Sequence, residues 1–129
     1  MNLHEQAFVE NFIDPRRPER FLEALANPKR RRVFREELYH LHPTFLLSKC
    51  IEPIAPSKQR APFIARQLKG MGAPDLCWVF GHYVDGQEMK LEEALEAVNG
   101  WEDGTIISCL PGKLAYFEAE QDRFILRRA

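Results

Sequence analysis

Between Thr105 and Arg127 the apolar residues come in short, dense runs parted by turn-formers, the pattern of consecutive β-strands. Thr105–Leu110 and Leu114–Glu118 are rich in Ile, Leu, Tyr and Phe, and Pro111-Gly112 separates them. Reversing the chain there sets Cys109 against Leu114, Ile107 against Tyr116 and Ile106 against Phe117. A second reversal over residues 119–122 sets Phe117 against Phe124, Tyr116 against Ile125 and Ala115 against Leu126, so that like meets like. Ile106, Leu110, Ala115, Phe117, Phe124 and Leu126 then share one face of a three-stranded meander, and Ile107, Cys109, Leu114, Tyr116 and Ile125 share the other. Neither face is polar, which predicts a sheet covered on both sides, by helices on one and by more helix or a second copy of the chain on the other. Pro-Gly favours a type II turn, whose twist splays a tight hairpin. The mouth near Cys109 and Lys113 is therefore expected to be wide, and it is the first place to look for a pocket.

Upstream the period changes to that of helices. Asn2 and Glu5 form a capping signature ahead of Phe8, Val9, Phe12 and Ile13, and Asp14-Pro15 ends that helix. Pro18 opens a second helix with Phe21, Leu22 and Leu25 on its buried stripe. Asn27-Pro28 opens a third, predicted from 28 to about 40, with Val33, Phe34, Leu38 and Leu41 on one face. The apolar run Phe45–Ile51, bounded by Pro43 and Pro53, reads as a strand, and residues 52–61 as an irregular, mobile connection. Pro62 begins a helix that has Gly70 past its end. Leu76–Val84 is aromatic and β-branched enough for a central strand, Asp85-Gly86 turns the chain, and Leu91–Val98 reads as a short helix with Leu91, Ala94, Leu95 and Val98 inward. The expected fold is a single α+β domain over residues 1–129, with N-terminal helices packed on a mostly antiparallel sheet of four or five strands that ends in the meander.

Composition supports that picture: 129 residues, 45% hydrophobic and 29% charged, is the balance of one globular domain. No apolar run approaches the ~20 residues a membrane helix needs, and no leader-like segment opens the chain, so a cytoplasmic protein without a membrane partner is expected. Three widely spaced cysteines, an odd number, speak against a secreted disulfide framework. The net charge of −1 conceals a division. Residues 1–70 hold 13 Lys/Arg against 8 Asp/Glu, whereas residues 71–129 hold 5 against 11. The two halves either attract each other or leave a basic surface for an anionic partner.

That division is sharpest at the start of the third helix. Lys29, Arg30, Arg31 and Arg32 stand where the helix dipole is positive and each cation is unfavourable by roughly 0.3–1 kcal/mol. Two arrangements account for them: an external anion at the helix start, or internal pairing with carboxylates of the acidic half such as Glu92, Glu93 and Glu96. The first gives the functional expectation, a small non-enzymatic binding or regulatory protein whose basic helical surface of Lys29, Arg30, Arg31, Arg32 and Arg35 meets an acidic protein partner. The same cations with Arg16, Arg17 and Arg20 suit phosphates and give a nucleic-acid-binding alternative, although Glu19, Glu23, Glu36 and Glu37 interrupt the patch. An enzyme alternative rests on Cys109 as nucleophile with His82 or His42 as base. His40 and His42 lack nearby ligands at metal spacing, Gly70-Met71-Gly72 has the wrong order for a dinucleotide loop, and no phosphate loop is present. Neither a metal nor a cofactor is expected.

Overall fold

The computed structural model describes residues 2–14, 18–81, 84–100, 104–119 and 122–128, with only the backbone of Pro18, Leu38 and residues 40–44. Arg16, Arg17 and His82 thus lie outside the described residues, as do the side chains of Leu38, Leu41 and His42. In chain order the helices are α1 (Leu3–Phe12), α2 (Pro18–Ala26), α3 (Arg31–Phe45), α4 (Ala61–Gly70) and α5 (Leu91–Val98). The strands are β1 (Ile51–Pro53), β2 (Leu76–Phe80), β3 (Gln87–Lys90), β4 (Thr105–Leu110), β5 (Leu114–Glu118) and β6 (Arg123–Arg127). The six form one sheet in the order β1-β6-β5-β4-β2-β3, every pair antiparallel. The α+β architecture expected from the pattern is present, with six strands in place of four or five.

The meander holds the expected register through Ile106↔Phe117, Ile107↔Tyr116, Phe117↔Phe124, Tyr116↔Ile125 and Ala115↔Leu126. It departs from it at one point. A bulge between Ser108 and Leu110 leaves Cys109 without an opposite number and pairs Leu110 with Leu114. The turn beyond it has the Lys113 N–H to Leu110 C=O bond (2.9 Å) and the positive φ at Gly112 (71°) of a type II turn. An extra residue in one strand lets such a turn close a twisted hairpin, and it carries Leu110 off its expected face to pack with the opposite one. Gly112 also rests on α1, where a Cβ would strike the Asn11 side chain.

Both faces are covered, and by helices of this chain. On one, Phe8 and Phe12 of α1, Phe21 of α2 and Phe34 of α3 pack on Phe80, Ile106, Ala115, Phe117 and Leu126. Edge-on aromatic contacts tie them together, Phe8 to Phe80 with ring centroids 5.7 Å apart and Phe21 to Phe34 at 5.6 Å. On the other face, Ile64 and Leu68 of α4 and Leu91 and Leu95 of α5 pack on Val79, Ile107, Tyr116 and Ile125. Each of these side chains is buried, which stabilises by roughly 1.5–3 kcal/mol for a large apolar group. The greasy second face is thus filled by α4 and α5, and coverage by a second copy of the chain is not required to explain it.

Three local expectations are corrected. α3 begins at Arg31 and runs to Phe45 rather than from 28 to about 40. It passes through Pro43 at the cost of the one backbone bond that a proline lacks. The run Phe45–Ile51 is therefore a helix end and a 3-10 turn (Ser48–Cys50), with a single bridge, Ile13↔Leu46, tying the ends of α1 and α3 together. β2 stops at Phe80, where Gly81 lies so close to β4 that a Cβ would come within 2.7 Å of Thr105 Cα.

Candidate functional site

The cations singled out in the sequence fall into two groups. Arg31 is consumed inside the protein. Its Nη1 and Nη2 donate to the two carboxylate oxygens of Glu5 at 2.8 Å each, its Nε and Nη2 to the two of Asp85 at 2.8 and 2.7 Å, and Nη1 also to Leu25 C=O at 2.9 Å. All five guanidinium donors are thereby used. The Glu5 side chain is 2% exposed and also accepts from Trp78 Nε1 at 2.8 Å. Arg35 donates to the same Asp85 at 3.1 Å, while its own Nε is buried with no hydrogen-bond partner among the described residues. Burial pushes the Asp85 carboxyl up, but hydrogen bonds from Arg31 and the charges of Arg31 and Arg35 outweigh it and hold that carboxyl below its usual range. The hydrogen bonds to Asp85 and Glu5 hold Arg31 still more firmly protonated. The carboxylates that answer these arginines are Glu5 and Asp85, and Glu92 turns instead to Lys69.

The second group stays outside but is matched by acids. Arg30 reaches Glu23 at 3.3 Å, Arg32 reaches Glu36 at 3.5 Å, and Arg20 pairs with Glu37. Lys29 is exposed just before α3, its backbone N–H held by Asn27 Oδ1 at 3.0 Å, and it makes no ion pair among the described residues. The α2–α3 surface is therefore a mixture of signs.

An unbalanced group of cations lies at the other end of the fold. A cleft of about 600 Å³ opens between the 3-10 turn before β1, the β4–β5 turn, the last residues of β6 and the residue after α4. Lys49, Lys113, Arg127 and Arg128 surround it over a floor that includes Cys50, Met71, Leu110 and Leu114. Among the described residues Glu52 is the one carboxylate that lines it, paired to Arg127 Nη2 at 2.6 Å. Arg128 Nη1 donates to Asn11 C=O at 2.8 Å, whereas Lys49 and Lys113 make no ion pair among the described residues. The bulge at Cys109 and the type II turn hold Lys113 beside the cleft and Leu110 in its wall, at the mouth that Pro-Gly was expected to widen. Among the described residues four cations stand against one carboxylate around this concave wall, an arrangement that focuses a positive potential.

The three cysteines are enclosed. Cys109 and Cys77 are 2% and 1% exposed, and a hydrogen bond with Cys77 together with burial pushes the Cys109 thiol well above the usual thiol range. That is the reverse of what an activated nucleophile needs. A pair that the sequence did not suggest, His4 Nδ1 and Ser108 Oγ, stands at 2.8 Å across 104 residues of chain. Ser108 is nevertheless 1% exposed, so the bond ties α1 to β4. Tyr116 and Arg123 likewise bond the fully buried Glu118, which also receives the Gly100 N–H at 3.1 Å. Among the described residues no group of three or more His, Cys, Asp or Glu is placed to hold a metal, and no helix is long and apolar enough to cross a membrane.

Sequence reasoning overlooked Glu5 as more than a cap, although it stands three, four and seven residues before Phe8, Val9 and Phe12. A carboxylate on that buried stripe demands a cation. It also overlooked Lys49, Arg127 and Arg128, which only the β-sheet brings beside Lys113. The chain matches no protein-family model, no curated protein and no solved structure.

Proposed function

We propose that the protein is a non-enzymatic binding protein whose partner is an acidic protein segment, taken up in the cationic cleft at the end of the sheet. The observation that carries this reading is the imbalance there, among the described residues, of Lys49, Lys113, Arg127 and Arg128 against Glu52. On the α2–α3 face Arg20, Arg30 and Arg32 have carboxylates of their own and Arg31 and Arg35 serve the interior, so that face, where Lys29 makes no ion pair among the described residues, lends weaker support. The burial of Cys109 favours binding over thiol chemistry. Among the described residues the cleft wall has no aromatic side chain on which a base would stack, which favours a protein partner over a nucleic acid.

The test is fluorescence anisotropy of a labelled Asp/Glu-rich peptide against the protein and its Lys49→Gln/Lys113→Gln/Arg128→Gln variant. Exposed ion pairs contribute roughly 0.2–1 kcal/mol each, so three losses weaken binding about 3- to 150-fold and reduce its dependence on salt. Equal affinity for both proteins rejects the cleft as the seat.

A further inference from the structure

The cations of the cleft surround a wall that is itself apolar. Cys50 and Leu114 in that wall are buried, but Met71 and Leu110 are only partly so. Met71 comes to the cleft at the exit of α4. Its N–H closes the last turn on the C=O groups of Gln67 and Leu68, and the chain leaves through Gly72, whose φ is positive at 103°. Leu110 comes there through the bulge in β4, which carries it off the face that a regular strand would give it. The two segments meet, since a Cβ on Gly72 would stand 3.8 Å from Leu110 Cδ1. Both side chains rest on the α4–α5 side of the core.

A partly exposed Leu or Met is ordinary on a protein surface. Here two of them share one concave wall with Lys49, Lys113, Arg127 and Arg128. A partner that answered the charges alone would leave that apolar surface facing water. The cations stand on three separate segments, before β1, in the β4–β5 turn and at the end of β6. That arrangement suits several carboxylates spaced along a chain better than the single head of an amphiphile such as a fatty acid. Exposed ion pairs also discriminate weakly between one acidic sequence and another, whereas an apolar contact in a shaped wall adds selectivity that charge lacks.

We propose, resting on the acidic-partner reading above, that the segment recognised by the cleft carries a large apolar residue flanked on both sides by Asp or Glu. The apolar side chain covers Met71 and Leu110, and the flanking carboxylates meet Lys49, Lys113 and Arg128. Charge brings the segment in, and the apolar residue decides which acidic segment stays.

Isothermal titration of the full chain with three probes tests it: an Asp/Glu-rich peptide with a central leucine, the same peptide with serine in place of the leucine, and dodecanoate. The leucine peptide binds, and the serine peptide binds roughly 5- to 50-fold more weakly, as expected for an apolar side chain largely removed from water. Dodecanoate binds more weakly than the leucine peptide. Met71→Ala narrows the gap between the two peptides, because the contact it measures has lost one partner. Lys113→Gln weakens both peptides alike and leaves the gap intact. Equal affinity of the two peptides overturns the apolar requirement and leaves the charge-based reading standing. A gap that Met71→Ala leaves unchanged overturns the seating on Met71 and Leu110. Binding of neither peptide overturns both readings, and dodecanoate that outcompetes the leucine peptide overturns the choice of a protein segment.

Discussion

Replacing Arg31 by Gln removes the cation shared by Glu5 and Asp85 and is expected to destabilise the fold severely. Glu5 is 2% exposed and Asp85 24%, so both carboxylates are left facing each other without the guanidinium that satisfied them. Removing one member of a buried ion pair costs about 3–5 kcal/mol. The partial exposure of Asp85 and the Trp78 bond that remains to Glu5 favour the lower end, about 3 kcal/mol. Against a domain stability of roughly 5–15 kcal/mol this is a large fraction. It corresponds to a fall in Tm of about 10–15 °C at this chain length. Urea unfolding followed by tryptophan fluorescence measures it, with Trp78 reporting directly on the network. The matched control is Arg32→Gln, whose side chain is 72% exposed and whose loss costs under about 0.5 kcal/mol. Asp85 adds a pH signature. Because its folded pKa is depressed, its stabilisation is present above the unfolded value of about 3.9 and is lost as pH falls through the folded one. The gap between wild type and Arg31→Gln therefore narrows below about pH 4. Equal losses for Arg31→Gln and Arg32→Gln would refute the assignment of Arg31 to the interior.

Three further outcomes follow from the packing. Burial lowers the pKa of His4 from 6.5, only partly offset by the carboxylates of Glu88 and Glu5, so the stability it contributes is whole above about pH 6.5 and declines as pH falls. His4→Asn should flatten the pH dependence of Tm in that range, and an unchanged slope would contradict the burial of this imidazole. Cys77 and Cys109 should resist alkylation at neutral pH until the protein is unfolded in urea, and rapid labelling of Cys109 would restore the thiol-nucleophile alternative. Gly81→Ala places a Cβ 2.7 Å from Thr105 Cα, a backbone atom that cannot turn aside, and should cost about 1–3 kcal/mol by forcing β2 from β4. A Tm within 1 °C or so of wild type would show that the strands part easily there.

The sheet core was legible because pairing in the meander leaves few choices. Phe117 with Phe124 and Ala115 with Leu126 are satisfied together by one register alone, and the structure adopts it. The bulge at Cys109 was not legible, since either side of a one-residue slip places an apolar pair, Cys109 or Leu110, beside Leu114. β3 went unread because an edge strand such as Gln87–Lys90 has one paired side and a largely solvated surface, so it lacks the apolar alternation by which strands are recognised. The helix-start arginines were correctly singled out as breaking a local rule, and the compensation lies within the chain. Naming Glu5 and Asp85 as the answering groups requires knowing that α1 and the turn after β2 converge on α3, a fact of tertiary packing. The pocket was anticipated from the Pro-Gly turn, but its charge comes from three segments far apart in sequence.

The most direct measurement is a backbone amide chemical-shift map of the protein titrated with an Asp/Glu-rich peptide. The account predicts that the largest changes fall on Lys49, Cys50, Lys113, Arg127 and Arg128, with the amides of Lys29 to Arg35 unmoved. Changes centred on the start of α3, with the cleft silent, would contradict it.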